Sequence, residues 1–222
     1  MKEISQHKRV NDILLGPLER PALHWLASHM PAWVTPDICT AVGLGGAFVT
    51  LAGYVLSNNH PGFLWLASLG FLINWFGDSL DGTLARYRRI ERPLYGYFVD
   101  HTTDSITQIM IFCGLGFSPY VTFNVACMAL VAYLVMCIVA YLRTSVSGEF
   151  KISYGRLGPT ESRVVAVLLN TLMFFWGTQT ISLQGITFSV YDLPVLAVAV
   201  VLFAFFFNTA WHETRRLAIV GE

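Results

Sequence analysis

The stretch "PGFLWLASLGFLINWFGDSLDGTLAR", residues 61–86, decides the fold: an uncharged apolar run from Pro61 to Gly77 leads straight into two aspartates, Asp78 and Asp81. A helix that crosses roughly 30 Å of bilayer hydrocarbon needs about 20 apolar residues, so this run reads as a membrane crossing. Working outward from it, Ile38 to Leu56 forms an earlier crossing free of charge. Ser105 to Leu142 is 38 uncharged residues, too long for one helix, and "GLGFSPY" in its middle supplies a turn that divides it into a third and a fourth crossing. A fifth runs from about Val164 into the 180s and a sixth from Leu193 to Trp211. With 55% hydrophobic and 13% charged residues among 222, the chain is expected to be an all-α integral membrane protein, a six-transmembrane-helix bundle.

Lysine and arginine set the orientation, because positive charge is retained on the cytoplasmic side. All 14 fall in the two terminal segments or in the second and fourth connections, none in "NNHPG", "FSPY" or "SLQGITFSVYD". Both termini are therefore expected to be cytoplasmic. Before the first crossing, "ILLGPLERPALHWLASHMPAW" mixes leucine and tryptophan with polar residues and reads as an N-terminal amphipathic helix on the membrane surface. Thr35 and Pro36 then offer a cap and a first helical position for the first crossing. The organisation is a single domain over 1–222, with 1–35 a juxtamembrane surface segment and 36–222 the bundle. No cleavable signal peptide pattern opens the chain. The net charge of zero gives no electrostatic attraction to nucleic acid. Cys39, Cys113, Cys127 and Cys137 all fall in crossings and read as small packing residues rather than disulfides or a thiolate zinc site.

Four acidic residues, Asp78, Asp81, Asp100 and Asp104, lie within 27 positions. At 100° per residue, Asp78, Asp81, Gly82, Ala85 and Arg86 share an arc of about 140° on the second crossing helix. Gly96, Asp100 and Asp104 recur every fourth residue and stack on one side of the third. The short connection "YRRIERPLY" is expected to make these helices antiparallel neighbours, so that the carboxylates converge at the cytoplasmic end. An ionised aspartate in the membrane costs from about 2.5 kcal/mol upward, and clustered carboxylates repel. A bound cation is the economical compensation, and oxygen ligands favour magnesium, manganese or calcium over zinc. Magnesium held by few protein groups completes its shell with water and substrate phosphates, which suits a diphosphate.

These positions spell D-x-x-D-G-x-x-A-R, nine residues, then G-x-x-x-D-x-x-x-D. The pattern resembles the signature of the CDP-alcohol phosphotransferases, six-helix membrane enzymes of phospholipid synthesis. "TPDICT" is similar to that family's T-P-N before the first crossing, with Asp37 where asparagine is common. The resemblance implies attack of a hydroxyl on the β-phosphorus of a CDP-linked alcohol with release of CMP, supported by Mg2+ or Mn2+. It implies that Asp78, Asp81 and Asp100 hold metal, that Asp104 joins them or takes the proton of the attacking hydroxyl, and that Gly82, Ala85, Arg86 and Gly96 shape the CDP site. "DHTTDS" resembles the D-H-x-x-D-S of choline and ethanolamine phosphotransferases and makes His101 a second candidate base. Within "KISYGRLGPTESR", 151–163, Lys151, Arg156, Glu161 and Arg163 could bind a phosphate or select the acceptor; the plainer reading is a basic loop with Thr160 capping the next helix.

The substrates divide into two branches. CDP-diacylglycerol can donate to a small polar alcohol, or CDP-choline or CDP-ethanolamine to diacylglycerol; "DHTTDS" favours the second branch and the small size the first. At least one partner is a lipid, and membrane lipids surround the chain. A homodimer is plausible from the resemblance, though the sequence marks no interface. The expected location is a bacterial inner (plasma) membrane with the active site facing the cytoplasm. Two other classes share parts of the pattern: a divalent-cation transporter, which calls for carboxylates near the bilayer midplane with access to both sides, and an aspartate-rich prenyl transferase, which does not need D-G-x-x-A-R.

Overall fold

The computed structural model describes residues 14–147, 158–183 and 186–220. The helices in chain order are α1 (Gly16–His29), α2 (Pro36–Leu56), α3 (Phe63–Arg88), α4 (Pro93–Phe117), α5 (Phe123–Ser147), α6 (Pro159–Trp176) and α7 (Asp192–Val220). A two-stranded antiparallel hairpin, β1 (Thr180–Leu183) and β2 (Ile186–Ser189), separates α6 from α7, with Thr180 opposite Ser189 and Leu183 opposite Ile186. Among the described residues, four helices, α2, α3, α5 and α7, are long and apolar enough to cross a membrane. The remaining long helices, α4 and α6, carry Asp100, Asp104, Glu161 and Arg163.

Helix boundaries follow local chemistry. At the start of α2 the Thr35 hydroxyl accepts the Ile38 N–H at 3.3 Å, with Pro36 in the first turn where its missing N–H is not needed. Thr35 therefore caps as the sequence indicates. The segment after Phe117 turns at Ser118, which divides α4 from α5 where "GLGFSPY" places a turn. The second crossing helix runs on past Gly77 through the aspartates, as their shared arc requires: α3 continues to Arg88, with Leu80 and Leu84 on a fully buried stripe. Asp78 consequently sits about 15 Å from the basic end of its helix, ten residues at about 1.5 Å each, rather than at its tip. The fifth crossing does not reach the 180s: α6 stops at Trp176, where Gly177 takes φ 68, and the hairpin follows.

Glycine brings α2 and α3 together. On α2, Gly43, Gly46 and Gly53 face Asn74, Gly70, Gly77 and Ala67 of α3, close enough that a methyl carbon at Gly46 would lie 2.4 Å from Asn74 N. Small residues at this spacing let helix backbones approach and gain dispersion contact where lipid offers no hydrophobic drive. Helix α2 packs on both α3 and α4, and α3 and α4 face one another across a cavity. That cavity, walled by α2, is lined by Asp78 and Asp104.

The hairpin half of the bundle is closed. Tyr54, Leu64, Phe71, Leu115, Tyr120 and Met173 belong to one buried cluster that extends to Val195 and Ala199 of α7. Within the bundle the Tyr54 hydroxyl donates to Asn170 Oδ1 at 2.8 Å and Asn170 Nδ2 to Ser68 Oγ at 3.2 Å, joining α2, α6 and α3. At the hairpin end Asp192 is buried: one oxygen accepts the Thr122 N–H at 2.7 Å, the other the Thr122 hydroxyl at 2.5 Å and the Ser189 N–H at 2.9 Å. It staples the hairpin to the α4–α5 turn. Hydrogen bonds to a buried charge are each worth about 1.5–3 kcal/mol, so Asp192→Ala is expected to destabilise by about 3 kcal/mol. A thermal melt in detergent checks this; an unchanged midpoint would contradict it.

The surface helix is more than an amphipathic raft. Ala27 at its end is buried with Val34, Cys39, Leu80 and Leu84. Glu19 Oε1 accepts from Trp75 Nε1 at 2.8 Å, Ser79 Oγ at 3.0 Å and Thr160 Oγ1 at 2.9 Å, so α1 is bonded to α3 and α6.

Candidate active site

A cavity opens among Thr40, Gly43 and Leu44 of α2, Asn74 and Asp78 of α3, and Thr103, Asp104 and Thr107 of α4. Helix α3 brings Asp78 to it and α4 brings Asp104; Asp81 and Asp100, three and four residues away along the same helices, lie on the same helix faces as these two. Asp81 is held by α2: its Oδ2 accepts the Thr40 hydroxyl at 2.7 Å and its Oδ1 the Gly82 N–H. Asp100, His101 and Asp104 each offer a ligand atom within 4.8 Å of the others. His101 Nδ1 lies 3.4 Å from Asp100 Oδ2, and its ring sits between Tyr97 and Tyr141, at centroid distances of 4.2 Å and 5.1 Å.

The glycines at the site leave space. Gly96 has nothing within 4 Å of the position a methyl would take, and at Gly82 the nearest neighbour is Arg86 Nη1 at 3.2 Å. Arg86 is exposed, bends back over Gly82 and donates to Thr83 Oγ1 at 3.3 Å; Ala85 is half-buried beside it.

Charge compensation within the cluster differs from what the arginine run 86–92 suggests. Arg88 donates to the carbonyls of Met30 at 2.9 Å, Pro31 at 2.8 Å and Val34 at 2.5 Å, fixing the α1–α2 connection. Arg92 pairs with Asp37 at 2.5 Å, which gives the aspartate that replaces the customary asparagine a partner of its own. Among the described residues Arg163 is a cation inside the site: its Nη2 donates to Asp78 Oδ2 at 2.6 Å and its Nε to Asn74 Oδ1 at 2.9 Å.

Of the candidate acceptor residues, Lys151 and Arg156 lie outside the described residues. Glu161 has both carboxylate oxygens engaged by backbone: Oε1 accepts the Leu15 N–H at 2.8 Å and Oε2 the Gly158 N–H at 2.9 Å. It closes the start of α6 and ties that start to α1. The helix is capped at Gly158 and not at Thr160, whose hydroxyl instead donates to Glu19. Sequence reasoning also passed over Thr40, Asn74, Thr103 and Thr107. Asn74 carried a usable signal, a lone amide in an apolar run one turn before Asp78 on the same face.

Comparison with known proteins follows the same residues. The family model described as CDP-alcohol phosphatidyltransferase matches residues 33–206. The chain is similar to Cholinephosphotransferase 1 of Danio rerio, 26% identical over 212 residues covering 89% of this chain and 52% of that protein. It is similar to Cholinephosphotransferase 1 of Rattus norvegicus, 30% identical over 190 residues covering 78% of this chain and 46% of the relative. Ceramide phosphoethanolamine synthase of Drosophila melanogaster is 30% identical over 113 residues, 48% of this chain and 28% of that protein. The chain spans about half the length of the cholinephosphotransferases it matches over most of its own. A family match over most of the chain, carrying the aspartates on two helices that face one cavity, places this protein in the CDP-alcohol phosphatidyltransferase family.

Proposed function

We propose that this protein transfers a substituted phosphate from a CDP-alcohol to a hydroxyl acceptor and releases CMP, with the donor CDP-choline or CDP-ethanolamine and the acceptor diacylglycerol. The observation that carries the reaction class is the convergence of aspartates from α3 and α4 on one cavity in a chain of this family. The names of the relatives and the "DHTTDS" stretch, residues 100–105, favour this branch over transfer from CDP-diacylglycerol to a small polar alcohol.

A divalent ion fits the residues present. Asp100 and Asp104 contribute carboxylate oxygens within 4.8 Å of one another, and Asp78 lines the same cavity as Asp104, a hard-oxygen set of the kind that binds Mg2+ or Mn2+. Bound there, such an ion would neutralise the diphosphate and the charge that develops on departing CMP. The chain's own groups supply the rest. Gly82 and Gly96 admit the nucleotide close to the backbone, and Arg86 lies beside Gly82 where it can donate to a phosphate oxygen. The acceptor oxygen bonds to the β-phosphorus, the bond from that phosphorus to the CMP oxygen breaks, and the hydroxyl proton passes to Asp104 or His101.

The bundle is read as six crossings, α2 to α7, with α4 and α6 tolerating their charged residues because these face the site or cap a helix. The distribution of arginines supports a cytoplasmic position for the aspartate end. Against cation transport stands the buried cluster of Tyr54, Phe71, Leu115 and Tyr120, which fills the hairpin half and separates the cavity from that end. The branch is tested by offering the purified protein in lipid with Mg2+ each donor and its acceptor in turn. Phosphatidylcholine or phosphatidylethanolamine formed from diacylglycerol is the expected product; a phosphatidyl product from CDP-diacylglycerol alone would reverse the assignment.

A further inference from the structure

Arg163 stands in a position that the metal reading does not itself explain. It lies on the first turns of α6, whose start is held by Glu161 on the Leu15 and Gly158 N–H groups and by Thr160 on Glu19. The side chain is 11% exposed. Two of its nitrogens have partners: Nε donates to Asn74 Oδ1 at 2.9 Å and Nη2 to Asp78 Oδ2 at 2.6 Å. Asn74 is itself fixed, because its Nδ2 donates to the Gly43 carbonyl at 2.9 Å, so its Oδ1 is committed to the guanidinium. Nη1 is buried and has no hydrogen-bond partner among the described residues.

Carboxylates that converge inside a membrane need a cation, and Arg163 supplies one to Asp78 from within the chain. A guanidinium and a divalent ion compete for the same carboxylate, because both interactions rest on the one negative charge. An arginine anchored through Nε can release one arm while keeping its place, since the planar fork carries its remaining donors in fixed directions.

We propose that Arg163 is the resident counter-ion of the acidic site and makes anion binding conditional on metal. A divalent ion at the aspartates takes over Asp78; the guanidinium, still held by Asn74, then turns Nη2 together with Nη1 to an anionic phosphate oxygen of the nucleotide. Metal loading thereby creates the donor pair that the diphosphate needs, and the site without metal presents a closed ion pair. This rests on the reading of the aspartates as a metal site, and deepens it by giving the order of binding and the residue that enforces it.

The test is Mn2+ binding to the full chain in nanodiscs, followed by the electron paramagnetic resonance signal of free Mn2+, for wild type, Arg163→Gln and Arg163→Lys. Arg163→Gln is expected to bind Mn2+ about tenfold more tightly than wild type, within the ordinary range for coupling between two sites, and Arg163→Lys to stay near wild type because the charge remains. In the same nanodiscs CMP should bind Mn2+-loaded Arg163→Gln about tenfold more weakly than loaded wild type. Thermal melts separate this from a purely structural role. Without metal Arg163→Gln should melt lower than wild type, and saturating Mn2+ should close the gap; an equal deficit with and without Mn2+ would overturn the proposal. Arg163→Met, which keeps most of the aliphatic stem, carries the test if the glutamine variant does not fold. Mn2+ affinity that is unchanged or weaker in the neutral variants, while Asp100→Asn abolishes binding, would remove this inference and leave the metal site standing. Absence of Mn2+ binding by wild type would remove both.

Discussion

Asp100→Asn lowers CMP release by about 10³-fold or more while the protein remains folded, the scale on which enzymes lose rate when a group that stabilises transition-state charge is removed. Asp100 stands on α4 with a ligand atom within 4.8 Å of those of His101 and Asp104. Asparagine keeps the size of the side chain and one oxygen but removes the charge, so the packing of α4 is untouched and the proposed metal site loses a carboxylate. Relief of repulsion among the aspartates works in the other direction on stability, so the melting midpoint in the absence of metal should hold or rise. Measuring CMP release and the thermal midpoint on the same preparation separates the two effects. Full turnover in a folded Asp100→Asn protein would remove Asp100 from the reaction; loss of turnover with loss of folding would make its role structural.

Gly77→Ala prevents α2 and α3 from docking. A methyl carbon at this position would lie 2.2 Å from Gly43 N, 2.4 Å from Cys39 O and 2.6 Å from Gly43 Cα, all backbone atoms that no rotamer change can move. Relief requires the helices to separate. Separation would unseat Thr40 from Asp81 and Asn74 from the Gly43 carbonyl, the contacts that position one wall of the cavity. The expected cost is about 3 kcal/mol or more, the range of severe overpacking, with activity falling along with folded yield. Gly45, where a methyl would meet nothing within 4 Å, is the control: Gly45→Ala should be neutral or slightly stabilising, since alanine favours helix. Size-exclusion profiles and melts of the two variants in one detergent check this, and equal behaviour would show that the close approach at Gly77 is not needed.

What the sequence disclosed was what repeats locally. Apolar runs announced α2, α3, α5 and α7, Thr35 and Pro36 the start of α2, and the period of three and four residues the shared faces of Asp78 with Asp81 and of Asp100 with Asp104. Hydropathy drops at Asp78, yet the helix persists as the shared arc of the aspartates implies, because Leu80 and Leu84 still pack with Ala27 and Cys39. Strands of four residues are too short to register against a crossing-length window, so the hairpin was read as part of a helix and a loop. Pairings across the chain were illegible in principle. Arg163 meets Asp78 across 85 positions, and Glu161 meets Leu15 across 146. Nothing in the local pattern distinguishes an arginine that neutralises the site from one that binds lipid headgroups, or a glutamate that selects an acceptor from one that closes a helix.

The central claim, that the aspartate cavity between α3 and α4 carries metal-assisted transfer from a CDP-alcohol, is tested most directly by following CMP release from the purified chain in lipid as Mg2+ is removed and restored. CDP-choline and diacylglycerol serve as substrates, with CDP-diacylglycerol and a panel of polar alcohols run in parallel. The account expects release from one donor that depends on its acceptor, falls to background in chelator and returns with Mg2+ or Mn2+. Equal release with and without divalent metal, or none from any donor by folded protein that binds Mn2+, would contradict it.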